Sequence, residues 1–358
     1  MIDLRIKVIN LGVPMKLFGK IVVLSLMAVA LLLWFASRWF DDYLAQPLVV
    51  NVDHQEIVVP SGMSYSRLAY RLSKQGFIEY PKLFIAYVRL TNQAAIHVGE
   101  YRLTASDNIL TLLEKLQSGD VVYRNITIPE GYTAKQMLSR IQQSSFIQST
   151  IDYEELPRIV SELGYGDYKN IEGLFFPDSY AYTRQQTDVE ILRMMAKRLN
   201  KVLSEEWETR DKGLPYKTPY DALIMASIVE KETGVTYERR EIAGVFVRRL
   251  DKGMRLQTDP TVIYGMGSRY QGKISRRDLR ADTPYNTYTR SGLPPTPIAL
   301  VGREAIAAAL HPADGDSLYF VAKGDGSHQF SATLKEHNRA VVKYQLKRRA
   351  DYRSHPAQ

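Results

Sequence analysis

Cysteine is absent from the 358 residues, which excludes disulfide frameworks, thiolate zinc sites, iron–sulfur clusters and cysteine nucleophiles together. The compartment stays open, because a chain without thiols folds on either side of a membrane. Histidine is scarce at 6 residues, and the spacings of His311, His328 and His337 match no common zinc pattern, so no metal and no cofactor is expected. A hydrophobic share of 45% with 24% charged residues excludes a disordered polyampholyte and leaves enough core for two domains. The middle of the chain also lacks net charge. The formal total is +8, and residues 1–20 (Arg5, Lys7, Lys16 and Lys20 against Asp3) and 335–358 (seven basic residues against Glu336 and Asp351) carry all of it. A central nucleic-acid groove is therefore not expected.

What is present begins with residues 21–37, a run of 17 without a charge, bounded by Lys20 and Arg38. Continued to Phe40 as a helix it spans roughly 30 Å, the thickness of a bilayer's hydrocarbon core. Trp34 and Trp39 fall where an interfacial aromatic belt belongs. A buried core helix would carry polar residues on some face, and a cleaved signal peptide would end in a small-x-small site instead of Trp34, Phe35, Trp39 and Phe40. The run reads as an uncleaved anchor. Basic residues precede it and Asp41 and Asp42 follow, so the positive-inside rule puts the N-terminus in the cytoplasm and the rest outside that membrane.

Beyond the anchor lies a repeat. Residues 57–72 (IVVPSGMSYSRLAYRL) and 126–141 (ITIPEGYTAKQMLSRI) align at an offset of 69, with Pro60 and Gly62 on Pro129 and Gly131 and Ser64 on Thr133. Each reads as a β-branched strand, a Pro-x-Gly turn and a Ser or Thr N-cap before an amphipathic helix. Further on, 100–103 leads to a helix capped by Asp107, and 179–182 to one capped by Asp188. The offset is now 81, so the second copy has gained 12 residues, assigned to the loop 146–170. A β-α-α-β unit with this entry resembles the LysM peptidoglycan-binding module, although turn and cap residues of this kind also recur by chance.

Thr218-Pro219 reads as an N-cap with proline at the first helical position, and residues 222–229 leave the following helix almost no polar face. Leu223, Ala226, Ser227 and Glu230 share one stripe, which sets the Glu230 carboxyl on the buried side near the C-terminal end. Glu232 is expected to face water. Burial and the negative end of the helix dipole both raise a carboxyl pKa, as a general acid at neutral pH requires. A structural carboxylate paired with Arg248, Arg249 or Arg255 accounts for the same position. Two loops follow, RLQTDPTVIYG at 255–265 and PYNTYTRSGLPPTP at 284–297. They are rich in Tyr, Asn, Gln, Thr and Pro, which contact sugar rings and amides and equally build turns.

With SIVEKETG at 227–234, RLQTDPTVIYG, YNTY at 285–288, GLPPTPI at 292–298, HP at 311–312 and EGLFFPDSY at 172–180, the chain resembles the MltG (YceG-like) family of membrane-anchored endolytic murein transglycosylases. The likeness runs from about residue 20 to residue 345. Phe176 and Ser179 are its minor departures. The resemblance implies that Glu230 is the catalytic residue. It also implies cleavage between N-acetylmuramic acid and N-acetylglucosamine of nascent glycan strands, leaving 1,6-anhydromuramyl ends. One carboxyl can then act first as acid to the glycosidic oxygen and next as base to the muramyl C6 hydroxyl, so the second carboxylate of a hydrolase is dispensable. Asn286, Tyr288 and Gln257 are candidates to hold the acetamide. Tyr264, Tyr285, Asp259, Glu172 and Asp178 complete the candidate substrate-binding set, with strand-end capping the alternative for Glu172 and Asp178 and turn formation for Asp259.

The expected chain is α+β, with an N-terminal transmembrane helix, a LysM-like β-α-α-β part and a mixed α/β catalytic domain. Its divisions are a cytoplasmic N-terminus at 1–20, anchor at 21–40, linker at 41–52, LysM-like domain at 53–124, second strand-turn-helix unit at 125–206, catalytic domain at 207–350 and tail at 351–358. His311 is expected to end the helix of GREAIAAAL, 318–322 and 328–331 to pair as a hairpin, and Thr333 with Glu336 to cap a last helix whose Lys343, Lys347, Arg348 and Arg349 are solvated. Peptidoglycan strands, the membrane and peptidoglycan synthases (penicillin-binding proteins) are the partners implied. A non-catalytic wall-binding scaffold and a hydrolytic muramidase using Asp259 or Glu172 are the competing readings. A Schiff-base lyase on Lys231 is disfavoured by a location away from cytosolic metabolites.

Overall fold

The computed structural model describes residues 15–50, 54–165, 168, 170–184 and 186–346. Arg5, Lys7, Lys347, Arg348, Arg349 and the tail 351–358 lie outside them. The chain divides into two units between Val122 and Tyr123.

The first unit opens with α1 (Met15–Ala45), one unbroken helix whose stretch Gly19–Ala45 contains an 18-residue window of mean hydropathy 2.2 that is not packed against protein. Helical rise gives that stretch about 40 Å, more than a bilayer core requires. Its end does not fray into a linker. Tyr43, Leu44 and Leu48 are buried with the first unit's core, so part of the stretch 41–52 expected to be linker is core instead. Then follow β1 (His54–Val59), α2 (Tyr65–Lys74), α3 (Pro81–Leu90), β2 (Gly99–Thr104) and α4 (Ile109–Ser118). β1 and β2 pair antiparallel with Ile57 opposite Tyr101. The helices bury Leu68, Leu72, Phe84, Leu112 and Leu116 against one another, each contributing about 1.5–3 kcal/mol.

The second unit contains β3 (Tyr123–Thr127), α5 (Ala134–Gln142), α6 (Leu156–Val160), β4 (Ser179–Thr183) and α7 (Asp188–Glu208). α8 (Pro219–Glu232), α9 (Arg239–Asp251), α10 (Asp259–Met266), α11 (Arg276–Arg280) and α12 (Arg303–Leu310) come next, then the antiparallel pair β5 (Tyr319–Ala322) and β6 (His328–Ser331), and α13 (Leu334–Val341). α7, α9, α10 and α12 all pack on α8, and one continuous core runs from Ile126 to Leu310.

Both halves of the repeat have the same build. β3 and β4 pair antiparallel with Ile126 opposite Tyr180, matching Ile57 and Tyr101. Gly62 and Gly131 both turn at a φ of 73°, and Ser64 and Thr133 cap α2 and α5 through the N–H groups of Arg67 and Gln136. Tyr101 Oη donates to His97 O and Tyr180 Oη to Phe176 O, each at 2.7 Å across four residues. Two of the expected caps differ. Asn108 caps α4 and Thr187 caps α7, each with a reciprocal bond from the third helical residue. Asp107 and Asp188 are buried because they hold the preceding chain: Asp107 takes the Thr104 N–H at 2.7 Å, and Asp188 takes the Thr150 N–H at 2.9 Å. Within the loop that lengthens the second copy, α6 buries Leu156, Ile159 and Val160.

Candidate active site

α8 starts where Thr218 and Asp221 cap each other around Pro219, and from Ala222 to Val229 every residue is buried. Its last turn brings that stripe to the surface at Glu230, whose side chain keeps 6% of its exposure. Glu230 Oε2 accepts the Gly302 N–H at 3.2 Å, and Oε1 lies 3.4 Å from Arg239 Nη2. Gly302 is the N-cap of α12, so the carboxyl faces the positive end of that helix. Burial outweighs both contacts and holds the carboxyl above its ordinary range, and nearby Glu130 raises it further.

The cation is not one of the three expected. Arg239 leads α9 and is itself buried. Arg248 donates to the carbonyls of Ala313 and Ser317, Arg249 to those of Leu318, Arg255 and Leu256, and Arg255 to that of Tyr288. These three satisfy loop carbonyls that helices and strands leave unpaired. Glu232 also departs from expectation. It is half-buried and accepts the Thr258 hydroxyl at 2.7 Å, and burial raises its pKa.

The motifs around α8 are tied to it by side chains of its last two turns. Ser227 Oγ accepts the Ile298 N–H at 3.0 Å, fixing GLPPTPI. Gly173 of EGLFFPDSY, at a φ of 79°, lies so close to Pro297 that a Cβ there would approach within 2.5 Å. Lys231 Nζ donates to Gly131 O at 3.1 Å, and Gly131 N–H donates to Leu300 O at 2.9 Å. The second Pro-x-Gly turn is thereby built into the site. Glu130 Oε2 stands 3.6 Å from Arg239 Nη2, and its carboxylate covers Gly302. Glu304 Oε2 takes the other arm of Arg239 at 2.6 Å.

The candidate substrate residues fall into groups. Glu172 is buried and accepts the Ala134 N–H at 2.8 Å and the Tyr264 hydroxyl at 3.1 Å. Burial pushes its pKa up to about 7 against these bonds. Tyr264 meets Tyr285 edge to face at 4.9 Å, and Tyr285 Oη pairs with Thr296 Oγ1 at 2.9 Å. On the segment beside Glu232, Tyr288 Oη donates to Asp259 Oδ1 at 2.6 Å, while burial and this bond raise the tyrosine's pKa. Gln257 is exposed at a φ of 55°, a strained backbone for a residue with a side chain. Asp178 lies apart in its contacts, accepting the Ser179 N–H at 2.8 Å and facing Arg198 at 3.7 Å, as a strand-end residue does.

Asn286 requires a correction. It is 1% exposed, its amide nitrogen donates toward the carbonyls of Asp278, Leu279 and Ala281, and its oxygen accepts the Tyr288 N–H at 2.9 Å. Its amide closes the end of α11 and has no donor left for an acetamide. His328 is held by Glu238 at 2.8 Å, and His311 caps α12 while pairing with Asp211 at 2.9 Å. Sequence reasoning missed Arg239, Gly302 and Glu130. For Glu130 a signal existed, since the two Pro-x-Gly turns differ at the middle residue, Ser61 in one and Glu130 in the other.

The arrangement sets one buried carboxyl, beside a guanidinium and a helix N-terminus, at the end of a core helix, in a mixed α/β chain with one long apolar helix among the described residues. The chain belongs to the YceG-like family, whose profile matches residues 57–343. It is 36% identical over 309 residues to a protein of Bacillus subtilis named endolytic murein transglycosylase, covering 80% of this chain and 84% of that one. A Streptococcus pneumoniae protein of the same name is 28% identical over 344 residues, covering 87% of this chain and 62% of the relative. The crystal structure of a YceG-like protein from Listeria monocytogenes matches with a TM-score of 0.50 and 31% identity over 80% of this chain and 98% of that one.

Proposed function

We propose that the chain is an endolytic murein transglycosylase in which Glu230 is both general acid and general base. The observation that carries this reading is the state of its carboxyl: buried, held above its ordinary pKa, yet touched by Arg239 and by the Gly302 N–H. A protonated Glu230 donates to the oxygen linking N-acetylmuramic acid to N-acetylglucosamine, and the glycosidic bond breaks with positive charge at C1. The carboxylate left behind is favoured by the guanidinium and the α12 N-terminus. It then accepts the proton of the C6 hydroxyl as that oxygen closes on C1, so the carboxyl is restored and no water is consumed. Gln257, Tyr264, Tyr285, Tyr288, Asp259 and Glu172 remain the candidates to contact the sugar. The names of the relatives and the ordered motifs support this substrate.

The same proposal takes α1 as a single-pass anchor with the N-terminus cytoplasmic and both units outside. It takes the first unit as a LysM-like glycan-binding part, and peptidoglycan synthases as working partners. Glu230→Gln is expected to abolish anhydromuramyl ends in glycan digested by the full-length protein, with the thermal transition retained. Undiminished anhydro product would refute the assignment, and a product one water heavier would mean hydrolysis instead.

A further inference from the structure

Arg239 is a buried cation shared among three carboxylates. Its Nη2 faces Glu230 at 3.4 Å and Glu130 at 3.6 Å, its Nη1 holds Glu304 at 2.6 Å, and its Nε has no hydrogen-bond partner among the described residues. The contact to Glu230 is the longer, less direct kind, and that to Glu304 is short. Glu130 is thus a rival of Glu230 for the same guanidinium nitrogen. Its place is fixed by backbone, because Gly131 is pinned by Lys231 on one side and Leu300 on the other. The absence of a side chain at Gly302 lets the Glu130 carboxylate lie over the α12 N-terminus, where a Cβ would meet Oε1. Glu130 keeps 46% of its side-chain exposure, so it can leave that place without unpacking the core.

We propose that Glu130 is a positioning residue that acts through Arg239: by occupying part of the guanidinium, it keeps Glu230 in its proton-donating form before the bond breaks. When the glycosidic oxygen has taken the proton, Arg239 turns more fully to the new Glu230 carboxylate. The charged groups facing Glu230 are Arg239 from α9, Glu130 from the turn, Lys231 from α8 and, behind Arg239, Glu304 from α12. Removing the Glu130 charge takes away a repulsion and releases the cation, and both changes favour ionised Glu230. This role rests on Glu230 being the general acid.

The test is the pH profile of anhydromuramyl-end formation by the full-length protein in detergent on purified glycan strands. Glu130→Gln is expected to move the alkaline limb toward acid by roughly one pH unit, so that the rate at pH 8 relative to that at pH 6 falls severalfold. Glu130→Asp restores much of the wild-type limb. Gly302→Ala, at a backbone φ of −75° that alanine accepts, pushes the Glu130 carboxylate aside without changing its charge and is expected to shift the limb the same way. If Glu130→Gln fails to fold, Gly302→Ala decides alone. A limb left in place by the folded variants, with Glu230→Gln inactive, overturns the role of Glu130 and spares that of Glu230. Anhydro product from Glu230→Gln overturns both.

Discussion

Glu172 carries a carboxyl that burial holds near neutrality while two backbone N–H groups, of Ala134 and Gly173, the Tyr264 phenol and the Lys231 charge pull it down. Its pKa is raised from 4.5 to about 7 in the folded chain. Below the unfolded value both states are protonated and its contribution to stability is fully present. As pH rises the unfolded chain ionises first, so stability falls through that interval by on the order of 3 kcal/mol. Glutamine cannot ionise and can still accept the Ala134 N–H. Glu172→Gln is therefore expected to gain thermal stability relative to wild type between pH 5 and pH 8, and melting curves at the two values check it. An equal gap at both would mean that the carboxyl ionises freely in the fold. At this scale the sequence was informative about Glu230, because an acidic residue on an apolar stripe is visible in one helix. Its partner was not, since Arg239 is one of several arginines nearby and only the packing of α9 and α12 selects it. Asn286 misled for a related reason: an amide looks the same in a string of letters whether it faces a sugar or three carbonyls.

The elements were legible where the code is local. Thr218-Pro219, Ser64, Thr133 and Thr333 mark helix starts that the backbone honours. Asp107 and Asp188 failed because each neighbour, Asn108 and Thr187, is also a good cap, and the choice depends on which side chain a distant segment requires. Contacts between motifs were not legible at all. The approach of Gly173 to Pro297 joins two loops far apart in sequence, and it makes a prediction for that junction. Gly173→Ala combines a left-handed φ with a Cβ 2.5 Å from Pro297, and is expected to cost about 2–3 kcal/mol. Urea unfolding of the folded variant reads this as a lower midpoint. A midpoint unchanged within error would mean that the two loops part at little cost.

For the whole molecule, the duplicated strand-turn-helix was readable, while the different fates of its copies were not. One copy closes its own core, and the other shares a core with α8 and lends its turn to Glu230. Orientation across the membrane belongs to this scale too. A reporter fused after Gln358 is expected to be active only when it is of the kind that works outside the cytoplasm. Activity of a cytoplasmic reporter there would reverse the proposed topology.

α1 enters the first unit without a break, and Tyr43 is seated there by its own hydroxyl, bonded to Tyr80 O at 3.0 Å. With the span in the bilayer, this makes the connection a strut and not a leash. Only about 9 Å of helix separates Trp39 from Ala45, so the first unit cannot rise from the lipid surface to search, nor turn without turning its anchor. Whatever it binds must come to that height, and under the proposed function this favours strands still lying against the membrane over those in mature layers farther out.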